Sequence, residues 1–221
     1  MSRLHNFITP LHTMTERNYL ARMVDNKVEC MIVAKKYGKD YWDGERRYGY
    51  GGYKYIPSRW KGVAKELIQV YQLGPGSKVL DVGCGKGFLL HEMLLLEPKL
   101  DVMGFDISGY AIDCATDLVK PYLYLQEAQE KYSYLDKSID LVISLGTLHN
   151  LCLPDLERAL IQIERVAKQA FIMVESFRNE KELYNLQCWA LTCQSFFDDK
   201  TWISILKKLG YSGDYEFIYF E

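Results

Sequence analysis

Leu20, Met23, Val24, Met31 and Ile32 fall roughly on one side of a helical wheel, and this spacing predicts a helix over residues 15–36. The next stretch has no regular period. Gly38, Gly44, Gly49, Gly51, Gly52 and Pro57 interrupt residues 37–58, which predicts a long loop; loops of that length in compact domains are usually functional or disordered. Ser58 is expected to cap a helix whose apolar stripe is Trp60, Val63, Ala64, Leu67, Ile68 and Tyr71, ended by Gly74 and turned by Pro75-Gly76. From there β-rich and helical runs alternate. Strands are predicted at 78–82, 100–105, 122–125, 139–145 and 170–174, with helices at 87–96, 108–118 and 154–167. Strands joined by helical connections imply an α/β fold, a parallel sheet with helices on both faces. A helix from about Asp198 carries Trp202, Ile205, Leu206 and Leu209 on one face and stops at Gly210, and a strand at 215–220 ends the pattern. The chain thus divides into an N-terminal extension over 1–60, expected to form a helical and loop cap, and an α/β domain over 61–221.

Composition narrows the function classes. The 221 residues fit one domain of ordinary size, and 48% apolar with 25% charged residues excludes global disorder. With 27 basic against 29 acidic residues the net charge is −2, which leaves no positive excess to neutralise a phosphate backbone; nucleic acid is not an expected partner. Cys30, Cys84, Cys114, Cys152, Cys188 and Cys193 form no Cys-x-x-Cys pair and no zinc spacing with histidine. No metal is expected, and the thiols read as reduced ones of a cytoplasmic protein. The apolar runs at 93–96 and 141–145 are far shorter than the roughly 20 residues a membrane span needs. The polar N-terminus lacks a signal-peptide core, so no membrane partner is expected.

The string Val79-Leu80-Asp81-Val82-Gly83-Cys84-Gly85-Lys86-Gly87 reads as a buried strand that ends in an acid and runs through three alternate glycines into a helix. Glycine lacks Cβ, so its backbone can turn sharply and approach a ligand closely, and a helix start offers unpaired N–H groups. Dinucleotide sites use Gly-x-Gly-x-x-Gly to seat a pyrophosphate. The spacing here is Gly-x-Gly-x-Gly, and Asp81 just before it suits a cofactor with a positively charged amine or sulfonium. Asp106 lies nineteen residues after Gly87 at the end of the next predicted strand, where a carboxylate can accept both hydroxyls of a ribose.

On these residues the chain resembles the class I S-adenosylmethionine-dependent methyltransferase family over roughly residues 61–174. The matching pieces are 79–87, Gly104-Phe105-Asp106-Ile107-Ser108, Ser138-Ile139-Asp140-Leu141-Val142-Ile143-Ser144, Leu148-His149-Asn150-Leu151 and Glu164-Arg165-Val166. The resemblance implies a Rossmann-like, doubly wound, mostly parallel sheet of six or seven strands. It also implies S-adenosylmethionine as cofactor, with S-adenosylhomocysteine as product. Asp81 and the backbone of Gly83, Cys84, Gly85 and Gly87 would hold the methionine part, Asp106 the ribose, and Ile107 would pack on the adenine. Glu127, Ala128 and Gln129 are the candidates for the adenine edge. Their interval to Asp140 is about one residue longer than the common pattern, which leaves the register between them open. Leu145 and Gly146 would border the sulfonium and the acceptor. The family fold commonly ends in a two-strand hairpin, whereas only 215–220 is found here; either 187–193 is the missing strand or the sheet has six.

Methyl transfer from a sulfonium is an in-line displacement that releases a neutral thioether, so positioning carries most of the catalysis, with effective molarities on the order of 10⁵ to 10⁸ M. A hydroxyl acceptor must also lose a proton. His149 is the histidine nearest the expected reaction centre and can act as the catalytic base, or instead order the loop after the 139–145 strand. Arg46, Arg47, Tyr48, Tyr50 and Tyr53 are expected to bind substrate as part of a lid over 37–60, or else to pack the extension onto the sheet. Arginine forks hold carboxylates and phosphates, and tyrosines suit sugars and small aromatics. Ser144-Leu145-Gly146-Thr147 lacks the Asn/Asp-Pro-Pro-Tyr string of enzymes that methylate amino groups of adenine or glutamine, and the Pro-Cys of cytosine C5 enzymes. The expected function is methyl transfer to a small-molecule acceptor, anionic or sugar-like, on oxygen before nitrogen. The alternatives are another enzyme on the same cofactor fold, a cofactor-binding protein without turnover, and, disfavoured by the glycine spacing, a nicotinamide dehydrogenase.

Overall fold

A computed structural model describes residues 2–221. Six strands, β1 (Lys78–Val82), β2 (Asp101–Asp106), β3 (Leu123–Leu125), β4 (Ile139–Leu145), β5 (Ala167–Glu175) and β6 (Asp214–Ile218), lie side by side in the order β3-β2-β1-β4-β5-β6. Every pairing is parallel. Side chains alternate across the sheet, and both faces are covered, which is why the strands read as continuous apolar runs. Val79, Leu141, Ile143 and Phe171 enter one core, while Leu80, Val142 and Ile172 enter the other. Helices α5 (Lys61–Val70) and α6 (Phe88–Leu96) bring Leu67, Leu90 and Met93 to the first face; α8 (Leu153–Val166) and α10 (Asp199–Lys208) bring Leu160, Ile163 and Trp202 to the second. Between β1 and β4 the strand order reverses, so the loops after those two strands splay apart at their carboxyl ends. In open α/β sheets a crevice at such a point takes the ligand.

The N-terminal extension folds into four short helices, α1 (Thr9–Thr13), α2 (Tyr19–Val24), α3 (Lys27–Ala34) and α4 (Lys39–Asp43). The helix predicted over 15–36 is broken where Asn26 adopts a left-handed backbone, φ 44°. The predicted loop holds α4 and a 3₁₀ turn at Arg46–Tyr48. Ser58 does not cap α5: its φ is +65° and its N–H donates to Glu92 Oε1 at 2.8 Å. The helix from residue 108 is the short α7 (Gly109–Asp113), with Ser108 as its cap. Residues 180–189, for which no element is predicted, form α9 (Glu180–Trp189). That helix takes up the start of 187–193, so the sheet has six strands and β6 is its parallel edge.

The extension is fastened to that edge. Leu4 bridges to Tyr215, and the buried Glu216 carboxylate accepts the N–H groups of Phe7, Ile8 and Thr9 together with the Thr9 hydroxyl. Burial of an unpaired carboxylate is costly, and these donors at the start of α1 remove the cost. From this anchor the chain runs to the crevice and lays residues 37–58 over it.

Candidate active site

The loop after β1 folds back on itself through positive-φ glycines. At Gly83, φ +78°, a Cβ would stand 2.0 Å from Thr147 Oγ1; at Gly85, φ +55°, it would stand 2.8 Å from the ring of Trp42. Any other residue is therefore excluded at both places by backbone strain and by contact. The Gly83 and Cys84 N–H groups donate to the Phe105 carbonyl, which ties the loop to the end of β2. Cys84 is half-buried with burial raising its thiol pKa, as suits a filler rather than a nucleophile.

Asp81 is 4% exposed and accepts no hydrogen bond from the described residues. Burial first, then the charge of Asp106, raises its pKa to about 7. A carboxylate held in this way favours a neighbouring cation, which is what a cofactor amine or sulfonium offers. Asp106 differs. Burial raises its pKa as well, but its oxygens accept the Ser108 and Gly85 N–H groups at 2.8 Å each, so it braces the glycine loop from the end of β2. Ile107 beside it is half exposed, Glu127 is exposed next to Gln129, and Ala128 is buried. Gln126 Nε2, one residue before that group, is buried without a partner, a free donor where an adenine edge is expected. The unpaired acid, the glycine cradle and this orphan donor fit an adenosyl sulfonium.

A cavity of about 520 Å³ opens from Asp81, Gly83 and Gly85 across Leu145 and Gly146 to His149 and Glu175, within the range of about 300 to 1,000 Å³ usual for small-molecule sites. His149 Nδ1 accepts the Glu175 N–H at 3.1 Å, so the neutral ring carries its proton on Nε2, which faces Glu175 Oε2 at 3.4 Å. Burial lowers the His149 pKa, the Glu175 charge opposing it in part, and the ring has no free acceptor nitrogen in this arrangement. Glu175, at the last position of β5, is the carboxylate facing the cavity on this side. Sequence reasoning passed over it; its signal was an acid at the carboxyl end of a predicted parallel strand, the same placement as Asp81 and Asp106.

Residues 37–58, the expected lid, pack on the glycine loop. Trp42 Nε1 donates to Ser108 Oγ at 2.9 Å and to the Tyr37 carbonyl at 3.1 Å, and Tyr50 stacks on its ring with centroids 5.1 Å apart. Asp43 latches it: its Oδ2 accepts Lys86 Nζ at 2.7 Å and Tyr110 Oη at 2.8 Å, and its Oδ1 the Tyr53 N–H at 3.0 Å. Burial alone would raise the Asp43 pKa, but the bonds from Lys86 and Tyr110 bring it below the usual carboxylate value. Of the five lid residues predicted to meet substrate, Arg46, Tyr50 and Tyr53 line the cavity. Arg47 instead pairs with Asp25 at 2.9 Å, and Tyr48 packs against the cluster of Cys30, Ala34 and Leu191. Among the described residues no cluster of three or more potential ligands could hold a metal, and no helix is long and apolar enough to cross a membrane.

A doubly wound sheet with a glycine loop after β1, an acid at the end of β2 and a cavity at the switch point defines the class I S-adenosylmethionine-dependent methyltransferase architecture. Residues 73–210 match the Methyltransferase domain family, and the chain belongs to it, with S-adenosylmethionine as cofactor. Part of the chain is 28% identical over 87 residues to the malonyl-[acyl-carrier protein] O-methyltransferase of Legionella pneumophila, a match covering 38% of this chain and 30% of that protein. Another match, 31% identical over 111 residues, is to phosphoethanolamine N-methyltransferase 3 of Arabidopsis thaliana, covering 47% and 21%. The chain thus spans less than a third of the length of these curated relatives. Among solved structures, a SAM dependent methyltransferase from Aquifex aeolicus has the same fold, with a TM-score of 0.50 at 22% identity over 71% of this chain and 84% of that one.

Proposed function

We propose that the protein transfers the methyl group of S-adenosylmethionine to an oxygen of a small-molecule acceptor held beneath the 37–58 lid. The observation that carries this reading is the single cavity joining Asp81 and the glycine cradle to the Glu175 carboxylate. When bound, the cofactor supplies an electrophilic methyl group on a sulfonium. Asp81 is its counter-charge; Gly83, Cys84, Gly85 and Gly87 give it backbone room, Asp106 meets the ribose, and Ile107 with Glu127, Ala128 and Gln129 borders the adenine. Leu145 and Gly146 face the reacting centre. Trp42 and Tyr50 exclude water from above, and Glu175 takes the proton of an acceptor hydroxyl. His149 is a positioning residue: its Nε2–H steers the Glu175 carboxylate while its Nδ1 holds the Glu175 backbone. The acceptor groups named for two relatives, a malonyl group on a carrier protein and phosphoethanolamine, both bear an anionic oxygen group. Six unpaired cysteines suit a reducing cytoplasm.

Calorimetric titration with S-adenosylhomocysteine, with NADH as control, tests the cofactor half. Wild type should bind the former alone. Asp106→Asn, which keeps one acceptor for the two N–H groups that Asp106→Ala would strand, should bind at least tenfold more weakly. A screen of hydroxyl and carboxylate acceptors should then yield a methylated product and S-adenosylhomocysteine in equal amounts. Binding without product across the panel would overturn the catalytic reading in favour of a cofactor-binding protein; no binding to the folded chain would overturn both.

A further inference from the structure

Three guanidinium groups converge on one indole. Arg17 precedes α2, Arg22 lies on α2, and Arg46 belongs to the 3₁₀ turn of the lid. Their Cζ atoms stand 5.4, 4.5 and 5.0 Å from the centre of the Trp189 ring at the end of α9. All three line the cavity. None forms an ion pair among the described residues. Their hydrogen-bond acceptors are neutral. Arg22 donates to the Trp189 carbonyl at 3.0 Å and the Arg46 carbonyl at 2.8 Å; Arg17 donates to the His12 and Thr15 carbonyls and to the His12 ring, and Arg46 to the Gly49 carbonyl. Arg17 Nε is buried with no hydrogen-bond partner among the described residues.

Arg17 and Arg22 are half-buried and Arg46 is more exposed; three like charges gathered without an ion-paired acid among the described residues cost free energy. Burial and the Arg46 charge push the Arg22 pKa down to about 10, and burial lowers those of Arg17 and Arg46 as well. A cation over an indole face is a common packing contact and accounts for one arginine. It does not account for three that face one cavity with spare donors. Glu175, the acid on the adjoining wall, is turned to His149 and pairs with none of them. No hydrogen bond of the cluster goes to the glycine loop, so its charge is available to something other than the chain itself.

The geometry points to an oxyanion subsite in which Arg17, Arg22 and Arg46, arranged around Trp189, hold a phosphate or carboxylate of the methyl acceptor. Forked N–H donors match both groups, and the indole packs against the uncharged part next to them. The subsite selects acceptors with an anionic end and leaves the nucleophilic end towards Glu175. It also completes the lid, since Arg46 comes from the lid and Arg22 holds the Arg46 carbonyl; an anion there draws the extension onto the sheet. This deepens the methyltransferase reading and rests on the same cavity.

Titration of the S-adenosylhomocysteine complex with inorganic phosphate and, separately, with malonate tests the subsite. Arg46→Met, Arg22→Met and the charge-preserving Arg22→Lys/Arg46→Lys serve as variants. Wild type should bind at least one probe saturably, and the arm that saturates identifies the group. Arg46→Met and Arg22→Met should each lose at least tenfold in probe affinity and the lysine pair a smaller factor, while affinity for S-adenosylhomocysteine stays within twofold. A parallel melting series keeps the test decisive where titration heats are small. The probe should raise the wild-type Tm beyond the rise from sodium chloride at matched ionic strength, and this excess should vanish in Arg46→Met. Absence of saturable binding, or equal binding by the variants, would overturn the subsite. Loss of S-adenosylhomocysteine affinity in step with the probe would overturn it too, by giving the arginines to the cofactor's own carboxylate. Failure of wild type to bind S-adenosylhomocysteine would instead sink the cofactor reading, and the phosphate and malonate arms would then be read on the free protein.

Discussion

At the scale of single residues, Asp81 sets a pH dependence whose sign follows from its burial. Its pKa stands near 7 in the folded chain against an ordinary 3.8. Below the ordinary value both states hold the proton and burial costs nothing. Between that value and about 7 the unfolded chain ionises Asp81 while the folded chain keeps it protonated, so the penalty on the free protein grows with pH and is complete once the folded state has ionised above about 7. A cationic ligand removes the penalty. Affinity for S-adenosylhomocysteine, whose amine is protonated throughout, should therefore fall several-fold from pH 8 to pH 6, and Asp81→Asn should bind weakly with a flat profile; calorimetry across that range checks this, and a flat wild-type curve would remove Asp81 as the counter-charge. His149 acts on the backbone. Replacing it with Ala strands the Glu175 N–H, a loss of about 1 to 3 kcal/mol readable by urea unfolding. Glu175→Gln, in contrast, should lower kcat at least tenfold and leave cofactor binding unchanged. The acids and glycines of this site were legible from one sequence because their types and spacing are themselves the chemistry. Glu175 was not, since nothing local distinguishes it from any acid that ends a strand.

At the scale of elements, the lid is held by contacts between segments remote in sequence. A five-residue helix such as α4 is far too short to form by propensity. It exists because Trp42 rests on Gly85 and Ser108, and because Asp43 meets Lys86 and Tyr110. The glycine and aromatic content of 37–58 suggested a lid, or a segment packing the extension onto the sheet, but could not disclose that its docking surface is the glycine loop after β1. Lys86→Met cuts the latch without touching the glycines. Tryptic cleavage at Arg46, Arg47 or Lys54 should then accelerate threefold or more, with bound S-adenosylhomocysteine restoring part of the protection; an unchanged digestion pattern would mean that Asp43 and Lys86 do not hold the lid. The broken helix at Asn26 has a similar origin. Its apolar positions suggested one continuous stripe, yet Leu20, Val24, Val28 and Ile32 are exposed while Cys30 and Ala34 are buried. Packing against Leu191, rather than helical period, chose the inward face.

At the scale of the whole molecule, the N-terminal extension is joined to the last strand, so the two ends of the chain stabilise one another. Glu216 is 1% exposed and satisfies three backbone donors and a hydroxyl at the start of α1. Asp214 beside it accepts Arg3, His5 and Tyr71. Glu216→Ala strands those donors in a buried place and should cost about 3 kcal/mol in unfolding free energy, from hydrogen bonds to a charged group. Hydrogen exchange should also rise over residues 3–13 before it rises in the sheet. Equal protection in wild type and variant would mean that the extension is held by its apolar contacts alone.

The order of strands and helices from Lys78 to Glu175, the glycine loop and the acids after β1 and β2 follow from the sequence by itself. Local propensity, the alternation of apolar residues and glycine's lack of Cβ act within a few residues of each position, so they can be read along the chain. The packing of 37–58 on the glycine loop, the pairing of His149 with Glu175, the six-stranded edge and the meeting of three arginines on Trp189 were decided by tertiary structure. Each joins residues tens to hundreds of positions apart, and the free energy that holds them comes from burial and charge compensation, which exist only once the chain has folded.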